Sequence, residues 1–169
     1  MLRTSIAGPA IAAATLVVLM AGPAVADNRG ADRSHAPASL QGSWEVTITP
    51  QDCITGDPFP AFAFNSLMTF HAGGTMTETT ANPTFQPGQR SLGAGYWLRS
   101  GRREYDAVFQ AYIQFTGGNY TRGHQRVEQA IAMQDDDHWT AALAIAFVDP
   151  MGGTTRPPGC ASVVASRMP

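Results

Sequence analysis

The residues that could carry chemistry are scattered along this chain and do not form a motif. The four histidines are His35, His71, His124 and His138, and no two of them have the spacing of metal ligands. The sequence contains no G-x-S-x-G, H-E-x-x-H or C-x-x-C pattern and no glycine-rich phosphate loop. We therefore predict no cofactor and no metal site, and no catalytic residue can be named from a motif.

Three residues could supply a proton if the protein were an enzyme. They are Glu78, Tyr105 and Glu128, and only their residue types single them out. The chain contains no lysine, so a Schiff-base or lysine-nucleophile mechanism is excluded. An acidic run, Asp135-Asp136-Asp137, could bind a hard cation such as calcium, although a solvated hairpin tip is the interpretation we favour.

The two cysteines are interpreted together with the start of the chain. Residues 1–26 combine Arg3, an apolar run and the small-residue end Ala24-Val25-Ala26, which is the layout of a secretory signal peptide. An exported chain favours a disulfide between Cys53 and Cys160, with a catalytic or metal-binding thiol pair as the alternative. We predict a secreted or periplasmic protein.

Composition limits the partners. The formal net charge is −2, and no cluster of basic residues could follow a nucleic-acid backbone. After the signal peptide, no segment approaches the ~20 apolar residues that span a bilayer. We predict neither a nucleic-acid partner nor a membrane span. The oligomeric state stays open.

The elements that would position these residues are strands. Residues 27–39 are polar and aperiodic, which indicates a flexible leader, and residues 40–169 form one domain. Within that domain apolar and polar residues alternate, turn residues recur, and no sustained helical stripe occurs. The pattern predicts strands at 41–49, 62–71, 75–80, 93–99, 103–115, 123–134, 138–148 and 160–168.

Closure of this meander follows from two residue pairs. If the first and last strands pair antiparallel, Trp44 faces Arg167 in nearly the same register that brings Cys53 to Cys160. A guanidinium on an indole is a favourable stack. The sequence therefore predicts an all-β fold, an eight-stranded antiparallel up-and-down barrel without free edges.

Gly42-Ser43-Trp44 in the first strand and Arg167 in the last resemble the G-x-W and C-terminal arginine signature of the calycins, the superfamily that includes the lipocalins. The T-D-Y element of many lipocalins is absent, so the chain is similar to an outlying, lipocalin-like bacterial member. The resemblance implies a calycin-type barrel in which Trp44 and Arg167 are structural and close one end.

The apolar faces of the predicted strands supply candidates for a ligand-lined interior, because eight-stranded barrels can hold one small guest. These candidates are Phe62, Phe64, Met68, Phe70, Tyr96, Trp97, Tyr105, Phe109, Trp139 and Phe147. The same residues could instead pack tightly and leave no cavity. Polar residues on these faces, such as Ser66, Gln125 and Gln129, would line the space or pair with each other.

From these observations we expect a secreted lipocalin-like protein that binds a small apolar or aromatic molecule. The alternatives are a barrel cyclase or isomerase and a structural protein with a filled core. We expect the open end near Cys53 and Cys160, with His71 beside it, and access controlled by loops at 58–61, at 82–89 and near Asn119.

Overall fold

The computed structural model describes residues 39–113 and 123–169. The predicted signal peptide, all of the leader but its last residue, and the turn at Asn119 lie outside the described residues. Within them the chain forms eight strands and one short 3-10 helix, Pro60–Phe62. The strands are β1 Gly42–Gln51, β2 Phe64–Phe70, β3 Thr75–Thr80, β4 Gly93–Arg99, β5 Glu104–Tyr112, β6 His124–Met133, β7 His138–Val148 and β8 Gly159–Arg167.

The strands close into a barrel. Each pairs antiparallel with the next along the chain, and β8 returns to pair with β1. Alternation of apolar and polar residues explains why the strands enclose an apolar interior. In β5, Tyr105, Ala107 and Phe109 are buried inside, while Glu104 and Asp106 are exposed. The predicted eight-stranded up-and-down barrel is confirmed.

The start of β2 differs from the prediction. The strand begins at Phe64, and residues 60–62 form the 3-10 helix instead. Pro60 occupies the first position of that helix, where its missing N–H costs nothing, whereas in a strand it would remove a ladder hydrogen bond. Phe62 is consequently on the surface, with 68% of its area exposed.

The ladder between β1 and β8 has the predicted register. Trp44 lies directly opposite Arg167, and the Arg167 guanidinium lies 4.1 Å from the Trp44 ring. At the other end of the ladder, Cys53 and Cys160 form a disulfide. The stack and the disulfide therefore hold the two ends of the strand pair that closes the barrel.

Aromatic rings fill the half of the barrel around Trp44. Trp139 packs edge-on against both Trp44 and Phe70, with ring centroids 6.0 and 6.2 Å apart. The Trp44 indole N–H donates to the carbonyl of Leu40, a residue with no exposed surface. This end of the barrel is closed by packed side chains.

Strand direction assigns each loop to one end of the barrel. The loops at 71–74, 100–103 and 134–137 lie at the closed end. Those at 52–63, 81–92 and 149–158 lie at the opposite end, which is the predicted mouth and which we call the open end. His71 follows Phe70, which pairs with Gly42, so it belongs to the closed end. The expectation that His71 lies beside the open end was wrong because β2 runs away from that end.

Candidate ligand-binding site

Four polar side chains are buried inside the open half of the barrel. Ser66, Glu78 and Gln125 project inward from β2, β3 and β6, where the strand alternation would otherwise place apolar residues. Arg90 reaches the same space from the loop between β3 and β4. The side chains of Glu78 and Arg90 are only 2% and 5% exposed. Such burial of two charges is rare unless they are paired.

The four side chains form one connected network. Arg90 Nη1 lies 2.8 Å from Glu78 Oε2, and Arg90 Nε donates to Gln125 Oε1 at 2.8 Å. The Ser66 hydroxyl donates to Glu78 Oε1, also at 2.8 Å. Glu78 Oε2 is sealed from solvent and has no donor aligned with it, so its contact with Arg90 is an ion pair without hydrogen-bond geometry.

Backbone pairing directs Arg90 into the lumen. Arg90 forms an isolated bridge with Ile113, just beyond β5, and the next residue, Ser91, donates its N–H to the Tyr112 carbonyl. Directly paired residues share a face of the sheet. Because Ile113 is buried in the interior, Arg90 points inward too.

Two donor groups of the network are unused. Arg90 Nη2 and Gln125 Nε2 donate no hydrogen bond within the described residues. Arg90 Nε is a donor, so it must face the carbonyl oxygen of the Gln125 amide. The NH₂ group of Gln125 therefore points away from Arg90 Nε. Both side chains line a small internal cavity. The network therefore offers hydrogen-bond donors to that space.

The cavity has a volume of about 20 Å³. That is room for about one water molecule, and its polar wall could hydrogen-bond such a water. Its apolar wall consists of Ile48, Phe64, Phe109, Val127, Leu143 and Ile145. This space is smaller than an organic ligand.

A second space, of about 350 Å³, is lined by residues of the 81–92 loop and the end of β3, and we call it the vestibule. Thr80, Asn82, Phe85 and Arg90 line both the vestibule and the cavity. The Phe85 ring lies 6.0 Å from the Arg90 guanidinium carbon, as does the ring of Phe109. These four residues are therefore the partition between the two spaces.

The structure divides the ten predicted lumen residues into three groups. Phe64 and Phe109 line the cavity. Met68, Phe70, Trp97, Tyr105 and Trp139 belong to or pack against the core, and Phe147 is buried on the inward face of β7 under Arg156, 3.6 Å from its ring. Phe62 and Tyr96 lie outside the lumen, 68% and 52% exposed.

The lumen placement of Phe62 and Tyr96 was therefore wrong. Phe62 is removed from β2 by the 3-10 helix. Tyr96 lies on β4 next to Trp97, and neighbouring strand residues face opposite sides, so only Trp97 can point inward. Ligand binding by the eight residues inside remains a prediction.

Sequence reasoning missed Arg90 and Phe85. Both lie in a stretch rich in proline and glycine that follows no strand period, so the sequence predicts only a loop there. One feature of the sequence does indicate that such a partner exists. Glu78 falls on the inward face of β3, and a buried carboxylate requires a cationic or donor partner from elsewhere in the chain.

The three proton-donor candidates lie in different surroundings. Glu78 lines the cavity, and Tyr105 packs edge-on against Trp97 away from it. Glu128 is 55% exposed on the outer wall, where it pairs with Arg126 Nε at 2.8 Å. The structure does not bring the three together.

The acidic run forms the hairpin between β6 and β7. Asp135 accepts hydrogen bonds from the Asp137 backbone N–H and from the His138 ring, which lower the pKa of the Asp135 carboxyl. Across residues 39–113 and 123–169, no group of three or more histidine, cysteine or acidic side chains is arranged to hold a metal ion. No helix in those ranges has the length and hydropathy needed to cross a membrane.

A larger depression, of about 550 Å³, lies on the outer wall formed by β8, β1, β2 and β3. Outward-facing residues such as Thr47, Leu67 and Val164 line it, and Leu67 and Val164 are 48% and 58% exposed. We place the candidate site in the lumen because that space, unlike the outer depression, is lined by buried charges with unused donors.

Comparison with known proteins adds no assignment: no protein-family model matches the chain, and no curated protein matches it significantly.

Proposed function

We propose that this chain is a binding protein that holds a small apolar or aromatic molecule in the open half of its barrel. The observation that carries the proposal is the pair of unused donors, on Arg90 and Gln125, beside a space whose remaining wall is mostly apolar. Ligand sites typically combine an apolar wall with a few placed polar groups. A core built only for stability would more simply use apolar residues there, since a buried ion pair is often no more stabilising than its apolar replacement.

Binding requires the partition to move. The cavity alone holds about one water, whereas the cavity of about 20 Å³ and the vestibule of about 350 Å³ together fall within the ~300–1,000 Å³ of small-molecule pockets. The 82–89 turn is held by local hydrogen bonds, from Phe85 N to Asn82 O and from Gln89 N to Gln86 O. A turn with its own bonds can shift as a unit, and we propose that Phe85 swings aside when a guest enters.

We also propose that the protein is calycin-like and that it is secreted or periplasmic. The closed antiparallel barrel with Trp44 stacked under Arg167 supports the calycin-like part. The Cys53–Cys160 disulfide supports the location, since disulfides persist in oxidising compartments.

The proposal is tested by titration with Nile red, an uncharged apolar dye, followed by dye fluorescence. We expect saturable binding at one site. Ile145→Trp fills the cavity wall and should abolish the binding, whereas Val164→Trp adds the same ring to the outer wall and should preserve it. Absence of binding by the wild-type protein for this and chemically varied apolar probes would contradict the proposal and favour a filled core.

A second candidate is an enzyme that moves a proton on an apolar guest, and the position of Glu78 at the cavity wall favours it. A base at this position would exchange the α-hydrogens of a bound ketone with solvent. In deuterium oxide, mass spectrometry should then detect deuterated ketone with the wild-type protein and none with Glu78→Gln. Equal exchange with both proteins and with buffer would exclude this candidate.

A further inference from the structure

The charge balance of the buried network indicates which chemical class the site would take. This inference rests on the proposed function and concerns the part of the guest that enters the cavity. We propose that the guest is a neutral aromatic molecule whose polar group is a single acceptor oxygen of the carbonyl type, and that the site discriminates against carboxylates.

An acceptor on the guest is favoured because the unused, unsealed polar groups of the network are donors. Arg90 Nη2 keeps two unused N–H groups, and Gln125 Nε2 keeps its own, among the contacts of the described residues. Within the network, Glu78 Oε2 is the carboxylate oxygen that no aligned donor satisfies, and it is sealed from solvent against Arg90. A guest that brings an acceptor would satisfy donors that an apolar guest leaves unpaired.

The acceptor must be neutral because the guanidinium charge is already compensated. The Glu78 carboxylate and the Arg90 guanidinium carry opposite charges, which cancel in a pair whose side chains are 98% and 95% buried. A carboxylate guest would bring a second anion beside Glu78 and leave one negative charge unbalanced in the interior. An unbalanced buried charge is strongly unfavourable.

Space leads to the same conclusion. The cavity between Arg90, Gln125 and the apolar wall has room for about one water molecule, about 20 Å³. One carbonyl oxygen fits in that volume, whereas the two oxygens of a carboxylate need more room. The body of the guest would lie in the vestibule against the Phe85 ring.

The inference is tested with three naphthalenes substituted at the same ring position: acetylnaphthalene, naphthoate and ethylnaphthalene. Their affinities are measured at neutral pH by displacement of Nile red. We expect acetylnaphthalene to bind about tenfold or more tightly than naphthoate, and also more tightly than ethylnaphthalene, because only the ketone pairs the donors without adding charge.

Variants of the ion pair test the cause. In Glu78→Gln the guanidinium loses its counter-charge, so the order should reverse and naphthoate should bind more tightly than the ketone. Glu128→Gln removes the same charge from the exposed pair with Arg126 and should keep the wild-type order. A double variant, Glu78→Leu with Arg90→Met, removes both charges without an unpaired partner and should lose the preference for ketone over ethylnaphthalene.

Each outcome has one meaning. Wild-type affinity for naphthoate equal to or above that for the ketone, or equal affinity for ketone and ethylnaphthalene, overturns the inference while leaving the binding function intact. Failure of Nile red and all three naphthalenes to bind overturns the binding function itself. If Glu78→Gln does not fold, the wild-type comparison and the double variant still decide.

Discussion

Gly93 of β4 lies directly opposite Glu78 of β3, and the missing side chain at Gly93 is what makes room for the buried carboxylate. A Cβ at Gly93 would stand 2.8 Å from Glu78 Oε2 and 2.8 Å from Phe109 Cδ2. Both contacts are shorter than real Cβ contacts allow. The ion pair with Arg90 and the apolar wall of the cavity therefore share a dependence on one glycine.

The first prediction concerns this glycine. Gly93→Ala should lower the free energy of unfolding by about 1–3 kcal/mol, because the new methyl group must displace Glu78 or Phe109 in a packed interior. Gly159→Ala is the control, since a Cβ there would meet Ile145 at an ordinary 3.6 Å. Urea unfolding measures both. Equal effects of the two substitutions would mean that the close approach at Gly93 does not exist.

The second prediction compares the buried and the exposed ion pair. Glu78→Gln leaves the Arg90 guanidinium charged and unpaired inside the barrel, so it should destabilise the protein by about 3 kcal/mol or more. Glu128→Gln acts on a pair that is 39% and 55% exposed and should cost less than about 1 kcal/mol. Thermal or urea unfolding distinguishes the two, and a small effect at Glu78 would be incompatible with its burial.

The third prediction concerns Arg167, which covers Trp44 at the closed end of the barrel. Besides stacking on Trp44, the Arg167 guanidinium donates to the carbonyls of Ser39, Gln41 and Asp136. Arg167→Lys keeps the charge but loses the planar fork, so stability should fall by about 1–3 kcal/mol. The near-ultraviolet circular dichroism of the tryptophans should change as well. Arg126→Lys on the outer wall should alter neither quantity.

The fourth prediction concerns the disulfide. Cys53 and Cys160 are 107 residues apart, so their bond restricts the unfolded chain over most of the domain. Replacing both by serine should reduce stability by about 4–5 kcal/mol on the chain-entropy estimate. The measurement is unfolding of the double variant beside the oxidised wild-type protein, and indistinguishable midpoints would show that the bond adds nothing.

The fold is predictable from the sequence where apolar and polar residues alternate regularly. Strands such as β5 and β7 are predicted by the alternation of apolar and polar residues. The pairs Trp44–Arg167 and Cys53–Cys160 predict closure, because residues that face each other in an antiparallel pair have numbers with a constant sum. The bounds of β3, β4 and β7 agree with the predicted ones to the residue. Phe62 deviates because a proline two positions earlier starts a helical turn.

The candidate site is predicted only in part. The sequence marks Glu78 as a residue that could supply a proton and Gln125 as a polar residue on an inward face. Their partner Arg90 comes from a loop that pairs with Ile113 just beyond β5. Local sequence does not encode such a tertiary contact. For the same reason the size of the cavity could not be predicted from the aromatic residues, since packing of Phe85 and Phe109 around Arg90 decides it.

The most direct test of the binding site is an NMR titration of the wild-type protein with acetylnaphthalene, observing arginine side-chain Nε–H signals. Arg90 Nε bonds Gln125 beside the cavity, and Arg126 Nε bonds Glu128 on the outer wall, so one protein contains both the probe and its control. We expect a saturable shift of the Arg90 signal and a stationary Arg126 signal. A stationary Arg90 signal at saturating ligand, or a shift confined to the outer wall, would contradict a binding site in the barrel.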